Sequence, residues 1–282
     1  MAAAPLISER RNPFSPSLSA LNLAGRVDLI SASPLFTGLP KHVCEQIAGR
    51  ARPRSFARDE MLFMQGQPLR HVALIRTGSV KITQLATNGN EVVLWMYGAG
   101  NVVGALSEPT SHYYTCSSRT IEQSTALIWD YSELQNYMLE YPQIRKNAGL
   151  VLASRLNELE ERFREVATER VAKRVASALL RLMKHIGREA HGGVEVSLSR
   201  EELAQMTGTT LFTISRLLSK WGEMGFVSPK REAVIVRDSR QLALVDDESF
   251  EKGNSLAHGK SFPSRRPVPS LGMMGLALVN SR

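Results

Sequence analysis

Residues 196–225 read VSLSREELAQMTGTTLFTISRLLSKWGEMG, and they carry the strongest structural signal in this chain of 282 residues. Ser199 followed by Glu202 is the pattern of a capping box, which opens a helix. Gly208 can adopt the left-handed conformation that a sharp reversal requires. A second helix then buries an apolar face that includes Ile214 and Trp221. Two helices joined by a short turn with glycine predict a helix-turn-helix.

The opposite face of the second helix is polar and basic. No acidic residue occurs between Thr207 and Trp221. A helix that enters a major groove presents hydrogen-bond donors and no negative charge. This face therefore predicts contact with double-stranded DNA.

A predicted hairpin, Phe226–Asp238, follows with basic residues at its tip, as in a winged helix-turn-helix. The charge distribution agrees, because residues 170–246 hold 13 basic and 8 acidic residues while residues 29–169 hold 14 of each. A basic segment joined to a neutral one indicates a polyanion-binding module attached to another domain. The side chains assigned to DNA are Arg200, Thr209, Thr210, Phe212, Thr213, Ser215, Arg216, Ser219, Lys220, Lys230 and Arg231.

Upstream, residues 55–130 predict a small antiparallel roll. Short apolar or alternating runs recur between glycine turns, and Asn88-Gly89 between two such runs is a strong hairpin signal. The predicted strands are Glu60–Met64, His71–Arg76, Ser79–Leu85, Glu91–Tyr97 and Thr125–Asp130.

Helical periodicity begins at Ser132. Apolar residues spaced 4, 3, 4 and 3 apart form a narrow seam with charged flanks, which favours a partner helix and hence a homodimer. The seam residues are Leu152, Leu156, Leu159, Phe163 and Val166. A further helix is predicted over Val171–Ile186, ended by Gly187.

The predicted fold is therefore α+β, with an N-terminal β-roll, a long dimerisation helix and a C-terminal winged helix-turn-helix. The predicted boundaries are 1–28 for a disordered extension, 29–134 for the roll with a helical lead-in, 135–168 for the dimerisation helix, 169–241 for the DNA-binding domain and 242–282 for a disordered tail.

Composition restricts the setting and the chemistry. No apolar run reaches the roughly 18 residues of a membrane span, and Glu9, Arg10 and Arg11 interrupt any signal peptide, so we expect a cytoplasmic protein. Cys44 and Cys116 are too few for a four-cysteine iron–sulfur or zinc site within one chain. A cupin-type metalloenzyme needs His-x-His with further ligands, and this set is absent. We therefore expect no metal site, no catalytic residue and no enzymatic activity.

The chain resembles the Crp/Fnr family of bacterial transcription regulators over about residues 30–240. The segments that carry the resemblance are RTGSVKI (76–82), GNVVGAL (100–106) and LSREELAQMTGTTLFTISRLLSKWGEMGFV (198–227). Membership implies a cytoplasmic homodimer that binds a near-palindromic operator, acts with RNA polymerase and carries an effector site in the roll. That site would comprise Val103, Gly104, Ala105, Leu106, Tyr114, Thr115 and, from the dimerisation helix, Arg155.

Two departures from the family pattern argue against cyclic AMP as the effector. Ala105 replaces the Glu that accepts from the ribose hydroxyl, and Tyr114 stands where an Arg holds the cyclic phosphate. Three alternatives remain open: a roll that has lost its ligand, haem, and a small carboxylate or another metabolite held by backbone amides of residues 98–106 and by Arg155 or Arg162. The eligible axial ligands for haem are His71, His112, Met96 and Cys116.

The recognition helix also departs from many relatives at one position. The family face Glu-x-x-Ser-Arg is here Phe212-Thr213-Ile214-Ser215-Arg216. Arg216 suits guanine and Ser215 a neighbouring base, whereas Phe212 can pack on a thymine methyl but cannot accept from cytosine.

Overall fold

Eight short strands between Arg52 and Asp130 form the roll in a computed structural model, which describes residues 22–106 and 112–245. They pair antiparallel in two four-stranded sheets, β1-β8-β3-β6 and β2-β7-β4-β5. The strands are β1 (Arg52–Phe56), β2 (Met61–Phe63), β3 (His71–Thr77), β4 (Val80–Leu85), β5 (Glu91–Tyr97), β6 (Val102–Val103), β7 (Ser117–Thr120) and β8 (Ser124–Asp130).

The five predicted strands are all present, and the Asn88-Gly89 turn joins β4 to β5 with Gly89 at φ +84°. Three strands were not predicted. In β7 the buried positions are Ser118 and Thr120, so an apolar pattern is lacking although the strand is internal. The Thr120 hydroxyl donates to the Ala57 carbonyl at 2.6 Å, which compensates for the burial of this polar group.

The helical lead-in consists of α1 (Leu23–Ala32), a 3₁₀ turn (Pro34–Phe36) and α2 (Lys41–Arg50). The prediction of disorder up to residue 28 is therefore wrong for its last residues, because α1 begins at Leu23 and buries Val27. Only two residues of α1 are fully buried, which leaves a weak periodic signal. Residues 1–21 of that predicted extension lie outside the described residues.

The predicted continuous helix over 135–168 is also wrong in one respect. The chain forms α3 (Tyr131–Glu140) and then α4 (Pro142–Thr168). Proline disfavours helical angles in the residue before it, and Tyr141 is accordingly extended at φ −119° and ψ 90°. Pro142 then occupies the first position of α4, where a missing N–H has no cost.

The C-terminal half follows as α5 (Val171–Ile186), β9 (Arg188–Ala190), β10 (Gly193–Ser197), α6 (Arg200–Thr207), α7 (Leu211–Glu223), β11 (Val227–Pro229), β12 (Ala233–Val236) and α8 (Ser239–Ala243). Strands β11-β12-β10-β9 form one sheet, in which β11 and β12 are the predicted wing. Leu242 and Val245 are buried, so the predicted disordered tail cannot start at residue 242. Residues 246–282 lie outside the described residues.

The roll and the C-terminal half touch at several specific points. Lys81 of β4 donates to Glu202 of α6 at 2.7 Å, and both side chains are largely buried. Gly98 lies against the last turn of α5, where an added Cβ would come within 2.7 Å of the His185 carbonyl oxygen. This spacing leaves room only for glycine. In the described part of the chain, no helix is long and apolar enough to cross a membrane.

Candidate DNA-binding surface and effector site

The start of α6 is fixed by the predicted capping box. The Ser199 N–H donates to Glu202 Oε2 at 2.7 Å, and the Glu202 N–H donates to Ser199 Oγ at 3.1 Å. Glu202 Oε1 accepts from Lys81, so one carboxylate both caps α6 and anchors it to the roll. Burial opposes ionisation of Glu202, but the bonds from Lys81 and Ser199 lower its pKa overall. The ion pair with Lys81 and the capping box with Ser199 therefore fix the position of α6.

The turn between α6 and α7 matches the prediction. Gly208 is left-handed at φ 61° and ψ 45°. Thr210 caps α7 by accepting from the Thr213 N–H at 3.2 Å. The buried face of α7 consists of Ile214, Leu217, Leu218 and Trp221.

The opposite face of α7 is open to solvent. Phe212 is 76% exposed, and Leu211 beside it is 53% exposed. Arg216 and Ser219 are also exposed, while Ser215 and Lys220 are half-buried. Thr209 and Thr210 lie at the turn that precedes this face, and Thr213 lies in the first turn of α7. The polar and basic side chains predicted to meet DNA therefore share one accessible surface.

Two predicted DNA residues are in different surroundings. Arg200 is the first residue of α6 and is half-buried, with Nε shielded and without a hydrogen-bond partner in the part of the chain that the structure describes. In the wing, Lys230 donates to Glu195 of β10, which offsets part of its charge. Arg231 next to it is exposed at the tip. Arg231 is thus the stronger candidate for a phosphate contact at the wing.

The predicted seam on α4 faces outward in the single chain. Leu152, Leu156, Phe163 and Val166 are exposed, and Leu159 is half-buried. Phe163 is 77% exposed.

Tyr114 fills the position at which the family holds the cyclic phosphate. It is buried and stacked on Phe63, with ring centroids 4.2 Å apart. Its hydroxyl donates to the His71 carbonyl and accepts from the His71 N–H, both at 2.9 Å. This side chain acts as part of the core of the roll.

None of the other predicted effector residues lines the cavity that Arg155 lines. Val103 and Leu106 are buried in the core, and Thr115 is exposed. Gly104 has φ +116° and approaches the His71 backbone, and Ala105 beside it is half-buried.

The two arginines considered for an effector have different roles. Arg162 donates to the carbonyls of Leu94, Val93 and Met206, and thereby joins α4 to β5 and α6. Within residues 22–106 and 112–245, Arg155 donates one such bond, to the Val102 carbonyl at 2.6 Å. Burial lowers the pKa of both guanidinium groups.

The residues considered for haem lie in varied surroundings. His71 Nδ1 is 3.3 Å from Asp130 Oδ1, and His112 is exposed. Met96 is buried, and burial raises the pKa of the half-buried Cys116 thiol. Among the described residues, no group of three His, Cys, Asp or Glu side chains is arranged to hold a metal ion.

Sequence reasoning missed the residues that join the two halves. Lys81 stands between Val80 and Ile82 in a strand, and a lone lysine among apolar residues was the available signal. Glu202 was assigned as a cap alone. Tyr97, Glu158 and His185 gave no local signal, because they converge from β5, α4 and α5.

Comparison with known proteins agrees with this order of elements. The family model described as cyclic nucleotide-binding domain matches residues 53–141, and the one described as Crp-like helix-turn-helix domain matches residues 173–245. The chain is 27% identical over 218 residues to the CRP-like cAMP-activated global transcriptional regulator of Mycobacterium tuberculosis, covering 77% of this chain and 97% of that protein.

Two solved structures share the fold. FixK2 from Bradyrhizobium japonicum superposes with a TM-score of 0.60 at 21% identity, over 68% of this chain and 95% of FixK2. The c-di-GMP responsive regulator CLP of Xanthomonas campestris also gives 0.60, at 23% identity, over 71% of this chain and 100% of CLP.

Proposed function

The chain belongs to the Crp/Fnr family of transcription regulators, which are not enzymes, and from this membership we propose that it binds a near-palindromic operator as a homodimer. One observation carries the proposal: α7 buries its apolar face and, from Leu211 to Lys220, exposes a polar and basic face without acidic residues. In a dimer, two such helices about one duplex turn apart, roughly 34 Å, would enter successive major grooves.

The residues of α7 and the wing that were assigned to DNA have distinct proposed roles. Arg216 donates two hydrogen bonds to guanine O6 and N7, and Ser215 reaches a neighbouring base. The exposed ring of Phe212 packs on a thymine methyl group. Lys220 and the wing residue Arg231 contact phosphates. Thr209, Thr210, Thr213 and Ser219 complete the surface.

Further parts of the proposal concern the whole regulator. The roll is the effector-sensing region, and the exposed seam of α4 is the dimer interface. RNA polymerase is the macromolecular partner that an operator-bound regulator acts upon, and the cytoplasm is the compartment that this function requires.

We propose an effector other than cyclic AMP. The relative in Mycobacterium tuberculosis is cAMP-activated. Here Ala105 has no carboxylate for the ribose, and the buried Tyr114 offers no charge for the phosphate.

The test of base recognition compares Arg216→Ala with Lys220→Ala. Duplexes selected from a random library by wild type would supply the operator and its single-base variants. Arg216→Ala should cost about 1–3 kcal/mol per half-site and relax the preference at one base pair. Lys220→Ala should weaken all duplexes about equally and lower the salt slope by about one.

Fluorescence titrations at two salt concentrations distinguish these outcomes. If Arg216→Ala keeps the wild-type ranking of duplexes and changes only the salt slope, the assignment of Arg216 to a base is wrong.

A further inference from the structure

A cavity of about 370 Å³ lies between α4, the 3₁₀ turn, the segment after β5 and the last turn of α5. Its apolar walls include Pro34, Leu35, Val102 and Val151. None of the residues at the family's cyclic nucleotide position, Gly104, Ala105 and Tyr114, lines it. We propose that this cavity binds a small monocarboxylate with an apolar body, its carboxylate held by Arg155 and the Tyr97 hydroxyl.

Arg155 provides a cation that lacks a matched anion. Its guanidinium carbon lies 4.6 Å from the Tyr97 ring centroid, and one nitrogen donates to Val102. Glu158, whose field acts on Arg155, accepts from His185 Nε2 at 2.7 Å instead. Within the described residues Arg155 forms no ion pair. A buried guanidinium gains most from a carboxylate, which can accept two of its N–H groups.

The Tyr97 hydroxyl is the second polar group without a partner. Tyr97 is 4% exposed and lines the cavity, and its shielded hydroxyl oxygen has no hydrogen-bond partner among the described residues. A buried hydroxyl left unsatisfied destabilises a fold, so its presence calls for a function. Burial also raises the pKa of Tyr97, which keeps the hydroxyl protonated as a donor.

Size and lining determine the class of ligand. Ligand cavities span roughly 300–1,000 Å³, and this one is near the lower limit. A ligand of about ten non-hydrogen atoms in all would place its apolar body against Leu35, Val102 and Val151 while its carboxylate meets Arg155.

The position of the cavity connects the ligand to DNA binding, and this step rests on the proposed function. The edge of His185 meets the Tyr97 ring, with centroids 6.2 Å apart, and His185 also bonds Glu158. The cavity is therefore lined by the roll, by α4 and by α5, which is the first helix of the C-terminal half. An occupant that favours one arrangement of these elements shifts the position of α7.

The binding test uses phenylacetate, with its neutral isostere phenylacetamide as the control ligand. Calorimetry on the full chain should show saturable binding of phenylacetate, and binding of phenylacetamide weakened at least about 10-fold, because the amide carries no charge for Arg155. Absence of saturable binding of both phenylacetate and 4-methylpentanoate up to about 10 mM would overturn the proposal. Equal binding of acid and amide would overturn it as well.

Two tyrosine variants separate ligand binding from folding. Tyr97→Phe removes an unpartnered hydroxyl, so the melting temperature should stay equal or rise while phenylacetate binding weakens about 3- to 10-fold. Tyr114→Phe removes a hydroxyl with two bonds to His71, so the melting temperature should fall while binding is unchanged. If Tyr114→Phe weakens binding and Tyr97→Phe does not, the ligand occupies the other position in the roll.

Failure of the two proposals can be told apart. A chain that binds phenylacetate but selects no duplex from the random library would contradict the proposed regulator and leave the cavity assignment in place. A chain that selects a duplex but binds no monocarboxylate would contradict the cavity alone.

Discussion

From Leu152 to its end, α4 has two faces that are built in opposite ways. The outward face exposes apolar side chains to solvent: Leu152, Leu156, Phe163 and Val166. The inward face places charged side chains against the rest of the chain: Arg155, Glu158, Arg162 and Glu165. A helix in a monomer would have the reverse pattern. The outward face is the dimer interface proposed above, and specific polar contacts position the inward face of α4.

Apart from Arg155, the charged side chains of the inward face each have a bonded partner. Arg181 of α5 donates to Glu165 at 2.8 Å, and Glu165 is only 5% exposed. Arg162 is bonded to three carbonyls from β5 and α6. Such buried charges contribute little net stability but make any other placement costly, because a displaced partner leaves a charge without compensation.

The largest expected effect comes from Leu159→Asp on the outward side. It places an unpaired charge in the proposed dimer seam, which costs several kcal/mol and should produce a monomer. Operator affinity should then fall by about 100-fold or more, since each monomer reads one half-site. Sedimentation velocity measures the change from dimer to monomer. The matched control is Asn157→Asp, which adds the same charge at an exposed position that is not part of the seam. A dimeric Leu159→Asp protein would rule out this seam.

A smaller effect is expected from Arg162→Met on the inward side. Loss of its bonds to buried carbonyls should destabilise the fold by about 2–4 kcal/mol, a fall of roughly 8 °C in melting temperature. Arg164→Met is the matched control two residues away, because Arg164 is exposed and pairs with Glu161 and Glu169 at the surface. Equal shifts in the two variants would show that the faces do not differ in this way.

The smallest expected effect is on the stability of the protein at acidic pH. The hydrogen bond from His185 lowers the pKa of Glu158, although burial opposes this shift. Glu158 therefore contributes stability above its unfolded pKa, and the contribution is lost as pH falls through the lower folded value. Between about pH 5 and pH 3 the unfolding free energy of the wild type falls. In Glu158→Gln this loss should be smaller by about 1 kcal/mol. An unchanged slope in urea titrations would contradict this linkage.

Local patterns were sufficient for much of the fold. The bounds of α5 follow from strong helical periodicity ended by Gly187, and the capping box and Gly208 define the helix-turn-helix. The internal strand β7 escaped prediction because its buried positions are polar. Pro142 is a sequence signal for the break between α3 and α4. The prediction missed this break because it followed the apolar periodicity of the seam, which lies after Pro142.

The effector region shows where sequence reasoning ends. The replacement of a phosphate-binding arginine by Tyr114 was visible in the sequence, but its stacking on Phe63 was not, since those residues are far apart in the chain. Arg155 stays a prediction as an effector-binding residue, and the residues that line the cavity with it, Tyr97 and His185, come from elements on either side of it in the chain. A cavity built from three distant segments has no periodicity that a sequence could reveal.

The absence of a side chain at Gly98 allows the roll to approach α5 closely. A methyl group at this position would come within 2.7 Å of the His185 carbonyl oxygen, a distance that real Cβ atoms do not tolerate. Gly98→Ala should therefore destabilise every conformation in which residue 98 contacts the last turn of α5. It should not affect a conformation in which these two segments are separated. If residue 98 and α5 are separated in the operator-bound form, Gly98→Ala would shift the population toward that form, although residue 98 contacts neither ligand nor DNA.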